Sequence, residues 1–141
     1  VNIVPAVCIA EVDRRSIPGE TKESVVASIQ AAIDLAKQRF PEIDATIELP
    51  VYGEPFEVRE DSTVLQALSE AVAEATSAPA EVVGFRGSSD ARFLAESGTD
   101  VVVCGPGDIT VAHTAREYID LAELERGALA YALAFAKLLK P

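Results

Sequence analysis

The sequence predicts an α/β fold combined with an α+β part, arranged as two unlike pieces: an open strand–helix–strand layer over residues 1–53, then a βαβ-containing α/β piece over residues 54–141. Three observations predict it. Runs rich in β-branched residues alternate with stretches whose apolar residues recur every three or four positions, the periodicities of strand and helix. The connection "GEPFEVRED" places Gly53 and Pro55 among charged residues and interrupts that alternation. The Val run 101–103 is continuous rather than alternating, which suits a parallel strand covered on both faces.

Taken in order, Ile3 to Val12 is β-branched or apolar with interspersed polar residues and predicts an extended strand, which Pro5 pushes toward a sheet edge. "SIPGET" turns the chain. Thr21 then caps a helix whose apolar positions Val25, Val26, Ile29, Ile33 and Ala36 share one face, and which ends near Phe40, before Pro41. "ATIELPVY" is a short alternating strand. Such a strand–helix–strand layer cannot cover its own sheet. Beyond the connection, Asp61 or Ser62 caps a second helix with Val64, Leu65, Leu68, Val72 and Ala75 on one side, closed by "SAPA". "EVVGF", "SSDARFLAESG" and "DVVVCGPG" read as strand, short helix and strand. Asp120, with Glu123 three positions on, opens a last helix. Its Leu121, Leu124, Ala128, Tyr131, Phe135 and Leu138 recur at helical spacing and predict a core face.

A hydrophobic content of 49% over 141 residues is enough to build a core, and a net charge of -11 repels phosphate backbones and anionic lipid surfaces. Nucleic acid and membrane surfaces are therefore not expected as partners. No apolar run reaches the roughly 18 residues of a membrane span, and the first residues lack the order of a signal peptide, so a soluble, cytoplasmic protein is expected. Cys8 and Cys104 form no metal or redox pattern and are expected as small buried residues. There is no Met, and strand-like sequence starts at the first residues, as in a chain that begins inside a larger protein.

In open α/β sheets, ligands bind beyond the carboxyl ends of the strands. Two loops fall there. In "FRGSSDARF", Gly87, Ser88 and Ser89 offer backbone N–H groups and a hydroxyl to a carboxylate or oxyanion, although the same residues also make a good helix cap. In "CGPGDITVAHTAREY" stands His113, the one histidine of the chain, with Glu117 four residues later. If this stretch is helical, the carboxylate orients the imidazole; an ordinary surface pair has the same spacing. Catalytic zinc takes three protein ligands, so any metal at His113 needs donors from elsewhere. Dinucleotide, P-loop and nucleophile-elbow motifs are absent.

In order, "NIVPAVCIAEVDRRSIPGET", "GFRGSSDARFL", "VVVCGPGDITVAHTAREYI" and a long final helix resemble the C-terminal part of the zinc aminoacylase and carboxypeptidase superfamily, which includes acetylornithine deacetylase, succinyl-diaminopimelate desuccinylase and carboxypeptidase G-type enzymes. The resemblance covers essentially the whole chain. It implies that residues 1–53 are the second half of a ferredoxin-like lid and dimerisation domain, and residues 54–141 the C-terminal βαβ portion of a zinc-peptidase-like catalytic domain. It further implies a hydrolase of N-acyl amino acids or peptides, a homodimer through the lid, and two zinc ions (or cobalt) per full-length subunit. By the same resemblance His113 is a metal ligand and Glu117 orients it. Asn2, Arg15, Gly87 and Ser88 match substrate-binding positions; for Arg15, a salt bridge at a strand end is the competing role. The other ligands and the general base are expected ahead of residue 1, so the chain alone is expected to be inactive. The alternative is a non-catalytic small-ligand or dimerisation module on the same fold.

Overall fold

The computed structural model describes residue 2 and residues 4–139 of the chain. They form two compact units, Val1–Pro55 and Phe56–Pro141, which divide within the Gly53–Phe56 connection.

The first unit is organised by α1 (Lys22–Arg39). Thr21 caps it as expected, and the cap is reciprocal: the Ser24 amide donates to Thr21 Oγ1 at 3.2 Å and the Thr21 amide donates to Ser24 Oγ at 2.9 Å. Two amide donors that a helix start leaves unpaired are thereby satisfied. Glu23 in the first turn and Lys37 and Arg39 in the last complement the helix dipole. Of the expected apolar face, Val25 is buried and Val26, Ile29, Ile33 and Ala36 are half-buried, while Leu35 on the other side is exposed. Ahead of the helix, residues 17–20 make a turn closed by the Glu20 amide on the Ile17 carbonyl at 3.0 Å, with Gly19 at φ 90°. Glu20 ties this turn together: its carboxylate accepts from the Ile17 amide and from Arg14, and its carbonyl accepts from the Tyr52 hydroxyl at 3.0 Å. The Ile17 amide first, and the Arg14 guanidinium second, hold that carboxyl below its usual range.

The second unit is built on α2 (Thr63–Thr76) packed against α4 (Leu121–Leu138), with the short α3 (Ala91–Glu96) between them in sequence. Between the two candidate caps of α2, the structure selects Ser62: it is fully buried and its Oγ accepts from the Leu65 amide. Asp120 caps α4, accepting from the Ala122 amide at 2.8 Å. The buried residues of the two packed helices are small, Ala71 on α2 and Ala130 and Ala134 on α4, which lets the backbones approach closely. Lys137 of α4 reaches Glu70 and Glu74 of α2 at 3.3 and 3.6 Å.

Three expectations are corrected. First, the described residues contain helices and turns but no strand, where strands were expected over 3–12, 45–52, 81–85 and 100–104; Ile3 lies outside the described residues. A strand exists only as a member of a ladder, and these extended segments have no hydrogen-bonded neighbour among the described residues. The strand pattern survives in burial: Ile47 and Leu49 are half-buried while Thr46, Glu48 and Pro50 are exposed. Second, Val101 and Val102 are half-buried and Val103 is exposed, so the Val run is not covered on both faces. For the same reason Cys8 and Cys104 are exposed rather than buried. Third, the expected core face of α4 is not its buried face. Leu121, Leu124, Tyr131, Phe135 and Leu138 are exposed, and the covered stripe is Gly127, Ala130, Ala134 and Lys137. Helical spacing marks where apolar residues align, but only the neighbours decide which stripe is covered, and here they are α2 and, at Gly127, the Pro106 ring.

Candidate functional site

The segment from Cys104 to Glu117 is held on α4 at its start and by its own polar side chains at its end. Tyr131 of α4 donates its hydroxyl to the Cys104 carbonyl. One helical turn earlier Gly127 meets the ring of Pro106: a Cβ at 127 would lie 3.0 Å from Pro106 Cγ and 3.1 Å from Cδ. Gly127 and Tyr131, four apart and therefore on one face, seat the Gly-Pro-Gly turn on the helix. Gly107 takes φ 98°, a conformation open to glycine, and redirects the chain. Partial desolvation where the otherwise exposed Tyr131 meets the Cys104 segment, and secondarily the proximity of Cys104, raise the tyrosine's pKa; packing around the Cys104 sulfur likewise pushes its thiol up, although that residue too is exposed as a whole. Gly127 did not stand out in the sequence, and Tyr131 did so only as a member of the apolar face of α4, not as a hydrogen-bond donor to the Cys104 carbonyl.

The Gly127–Pro106 contact has a measurable consequence. On an open helix, Gly→Ala stabilises by about 1 kcal/mol. Here Gly127→Ala is expected to give no such gain with Pro106 in place, and to recover it in a Pro106→Ala background. Thermal unfolding of the four variants reads this directly; a full gain with Pro106 present would show that the ring yields freely.

After Gly107, Asp108 opens a single 3₁₀ turn, Ile109–Val111, and accepts from the Thr110 amide at 2.8 Å. Hydrogen bonds from the Thr110 side chain and then from its amide lower the Asp108 pKa below its ordinary 3.8. Because the folded value is the lower one, the contribution of this cap is complete above pH 3.8 and is lost as pH falls through the folded value. The Thr110 amide resonance is accordingly expected to titrate below pH 3.8 in the wild type and to stay flat in Asp108→Asn. A midpoint above that pH would contradict the capping geometry.

His113 follows at φ 62°, in the left-handed region that side chains other than glycine seldom adopt. The stretch is not helical, so the condition under which the four-residue spacing would bring Glu117 to the imidazole is not met here. Residues 112–116 are turns and a bend, and Glu117 accepts from the His113 backbone amide, Oε2 to N, at 2.8 Å. The His113 ring is exposed and takes part in no hydrogen bond or ion pair among the described residues. As a donor to a metal it fits chemically, since an accessible imidazole is the commonest metal ligand. It is a single donor: no group of three His, Cys, Asp or Glu side chains able to hold a metal occurs among the described residues.

Gly87 and Ser88 are exposed ahead of α3. At Gly87 the ring of the exposed Phe85 lies in the space a Cβ would take, and that ring must shift for a larger residue to fit. The helix-start bond of this loop is made by Ser89, whose Oγ accepts from the Ala91 amide at 3.2 Å, and Ser88 is left out of it. In the first unit Asn2 is exposed outside any helix, and Arg15 forms an exposed ion pair with Asp13 at 2.9 Å. An exposed pair of this kind contributes little to stability, and it leaves the guanidinium available to another carboxylate.

The model of "Peptidase family M20/M25/M40" matches residues 3–137. The chain belongs to this family. Among curated M20 relatives it is 32% identical over 125 residues to acetylornithine deacetylase of Myxococcus xanthus, covering 89% of this chain and 31% of that protein. It is 30% identical over 138 residues to succinyl-diaminopimelate desuccinylase of Psychromonas ingrahamii (98% and 35%), and 27% identical over 125 residues to the desuccinylase of Hydrogenovibrio crunogenus (89% and 32%). The chain thus spans about a third of the length of the relatives it matches. No solved structure matches it significantly. No helix of the described residues is long and apolar enough to cross a membrane.

Proposed function

We propose that this chain is the C-terminal part of a zinc-dependent M20 amidohydrolase that cleaves the amide bond of N-acyl amino acids, and that His113 is its contribution to the metal centre. The observation that carries the reading is the loop of an M20 chain in which one exposed imidazole, on a left-handed backbone, follows a Gly-Pro-Gly turn seated on α4. Asn2, Arg15, Gly87 and Ser88 are proposed to meet the substrate, Arg15 by exchanging its Asp13 partner for a substrate carboxylate. Two zinc or cobalt ions are proposed per complete subunit, with the remaining ligands and the general base supplied from outside these residues. When bound, such ions polarise the scissile carbonyl and acidify water. What this chain's residues do is narrower: His113 presents its imidazole, and the Gly-Pro-Gly turn, Asp108 and Glu117 fix where it stands. The lid-mediated homodimer and the cytoplasmic location belong to the same proposal.

The test is hydrolysis of N-acetyl-ornithine and N-succinyl-diaminopimelate by the complete protein with added zinc or cobalt. Turnover of one of them supports the reading and places the chain with the deacetylases or with the desuccinylases. Failure on both, and on a panel of other N-acyl amino acids, overturns it.

A further inference from the structure

We infer that Glu117 is a positioning residue that acts on His113 through its backbone amide rather than through its ring. Three observations carry this. His113 is one of two non-glycine described residues at positive φ, and the other, Ser77, is a helix C-cap, where a left-handed residue is common. A left-handed histidine inside a loop has no such explanation and persists only if its surroundings hold it. Its amide donates to the Glu117 carboxylate at 2.8 Å, and a hydrogen bond to an ionised acceptor is among the stronger kinds. Finally, the residues between them form a closed turn: the Glu117 amide donates to the Thr114 carbonyl at 3.1 Å, and Thr114 Oγ1 donates to the Val111 carbonyl at 2.7 Å and accepts from the Arg116 amide at 3.2 Å.

This turn gives the four-residue spacing a meaning different from helical adjacency. Residues 114–117 fold back so that the carboxylate returns to the amide of residue 113, closing a ring around Thr114. A carboxylate engaged with the backbone leaves both ring nitrogens of His113 free and still sets the direction in which the side chain leaves the loop. Asp108 caps the other end of the same segment. The His113 backbone is thus bracketed by two acidic side chains, neither of which bonds to its ring.

The catalytic consequence rests on the proposed role of His113; the structural one does not, and the experiment separates them. In the complete protein, isotope-labelled for NMR, Glu117→Ala is compared with Glu117→Gln, whose amide oxygen can accept from the same N–H. The inference expects Glu117→Ala to move the His113 amide proton upfield and to change its coupling to Hα, while Glu117→Gln stays near the wild type in coupling. It also expects zinc affinity to fall ~10–100-fold in Glu117→Ala, the range typical of groups that orient a ligand, with kcat falling more than KM rises and with recovery in Glu117→Gln. An unchanged amide shift and coupling in Glu117→Ala overturns the inference. So does a normal zinc affinity in that variant when the wild type binds zinc. A wild type that neither binds zinc nor hydrolyses its substrates overturns the proposed function, and the amide signals then decide the inference alone.

Discussion

On the proposed function, His113→Ala in the complete protein is expected to lower kcat/KM for an N-acyl amino acid by about a thousandfold or more. A metal at the reacting carbonyl supplies several kcal/mol of transition-state stabilisation, at about 1.4 kcal/mol per tenfold in rate, so loss of one ligand reaches that scale. The unfolding midpoint of the metal-free protein is expected to move little, because the ring is exposed and bonded to nothing among the described residues. This combination separates a ligand from a structural residue. Steady-state kinetics with a thermal scan of the apo protein is sufficient, and retained activity removes His113 from the site.

Phe135→Ala gives the second large effect, and its size depends on what surrounds the chain. Phe135 is 61% exposed, within the stripe of α4 that also carries Leu121, Leu124, Tyr131 and Leu138. A contiguous apolar face of this kind calls for a covering layer. If the rest of an M20 protein provides it, Phe135→Ala costs about 3–5 kcal/mol of stability in the complete protein, the cost of truncating a buried phenylalanine. In the isolated chain the same substitution costs within about 0.5 kcal/mol, as for an ordinary surface position, and reduces self-association. Chemical denaturation of both forms, with light scattering of the isolated chain, measures the difference. Equal small costs in both would mean that the face stays uncovered.

The helices were legible because their signals are local. Thr21 and Asp120 cap where capping chemistry places them, and α1 ends at Arg39, just before Phe40 and Pro41. A cap needs only its own first turn, which the sequence contains. The strands were not legible as structure, since a ladder requires a partner: residues 4–12 and 81–85 carry strand-forming residues and remain exposed, unpaired chain among the described residues. The α4 face failed for a related reason. Apolar spacing pointed to its large side chains, whereas the contact with α2 uses Ala130 and Ala134, whose small size matters only once the neighbour is known. At the candidate site, the order of motifs led to the right family, and His113 stood out as the only histidine. The left-handed backbone and the return of Glu117 to the His113 amide had no periodicity to announce them, because a turn of this kind is defined by dihedral angles and not by spacing.

On the proposed function, this chain contributes one imidazole to a metal centre completed from outside it. Elemental analysis with zinc titration, on the isolated chain and on the complete protein with and without His113→Ala, tests it most directly. Weak zinc binding by the chain, about two zinc ions per complete subunit, and loss of tight binding in the variant are expected. Tight zinc on the isolated chain, or undiminished zinc in His113→Ala, would contradict it.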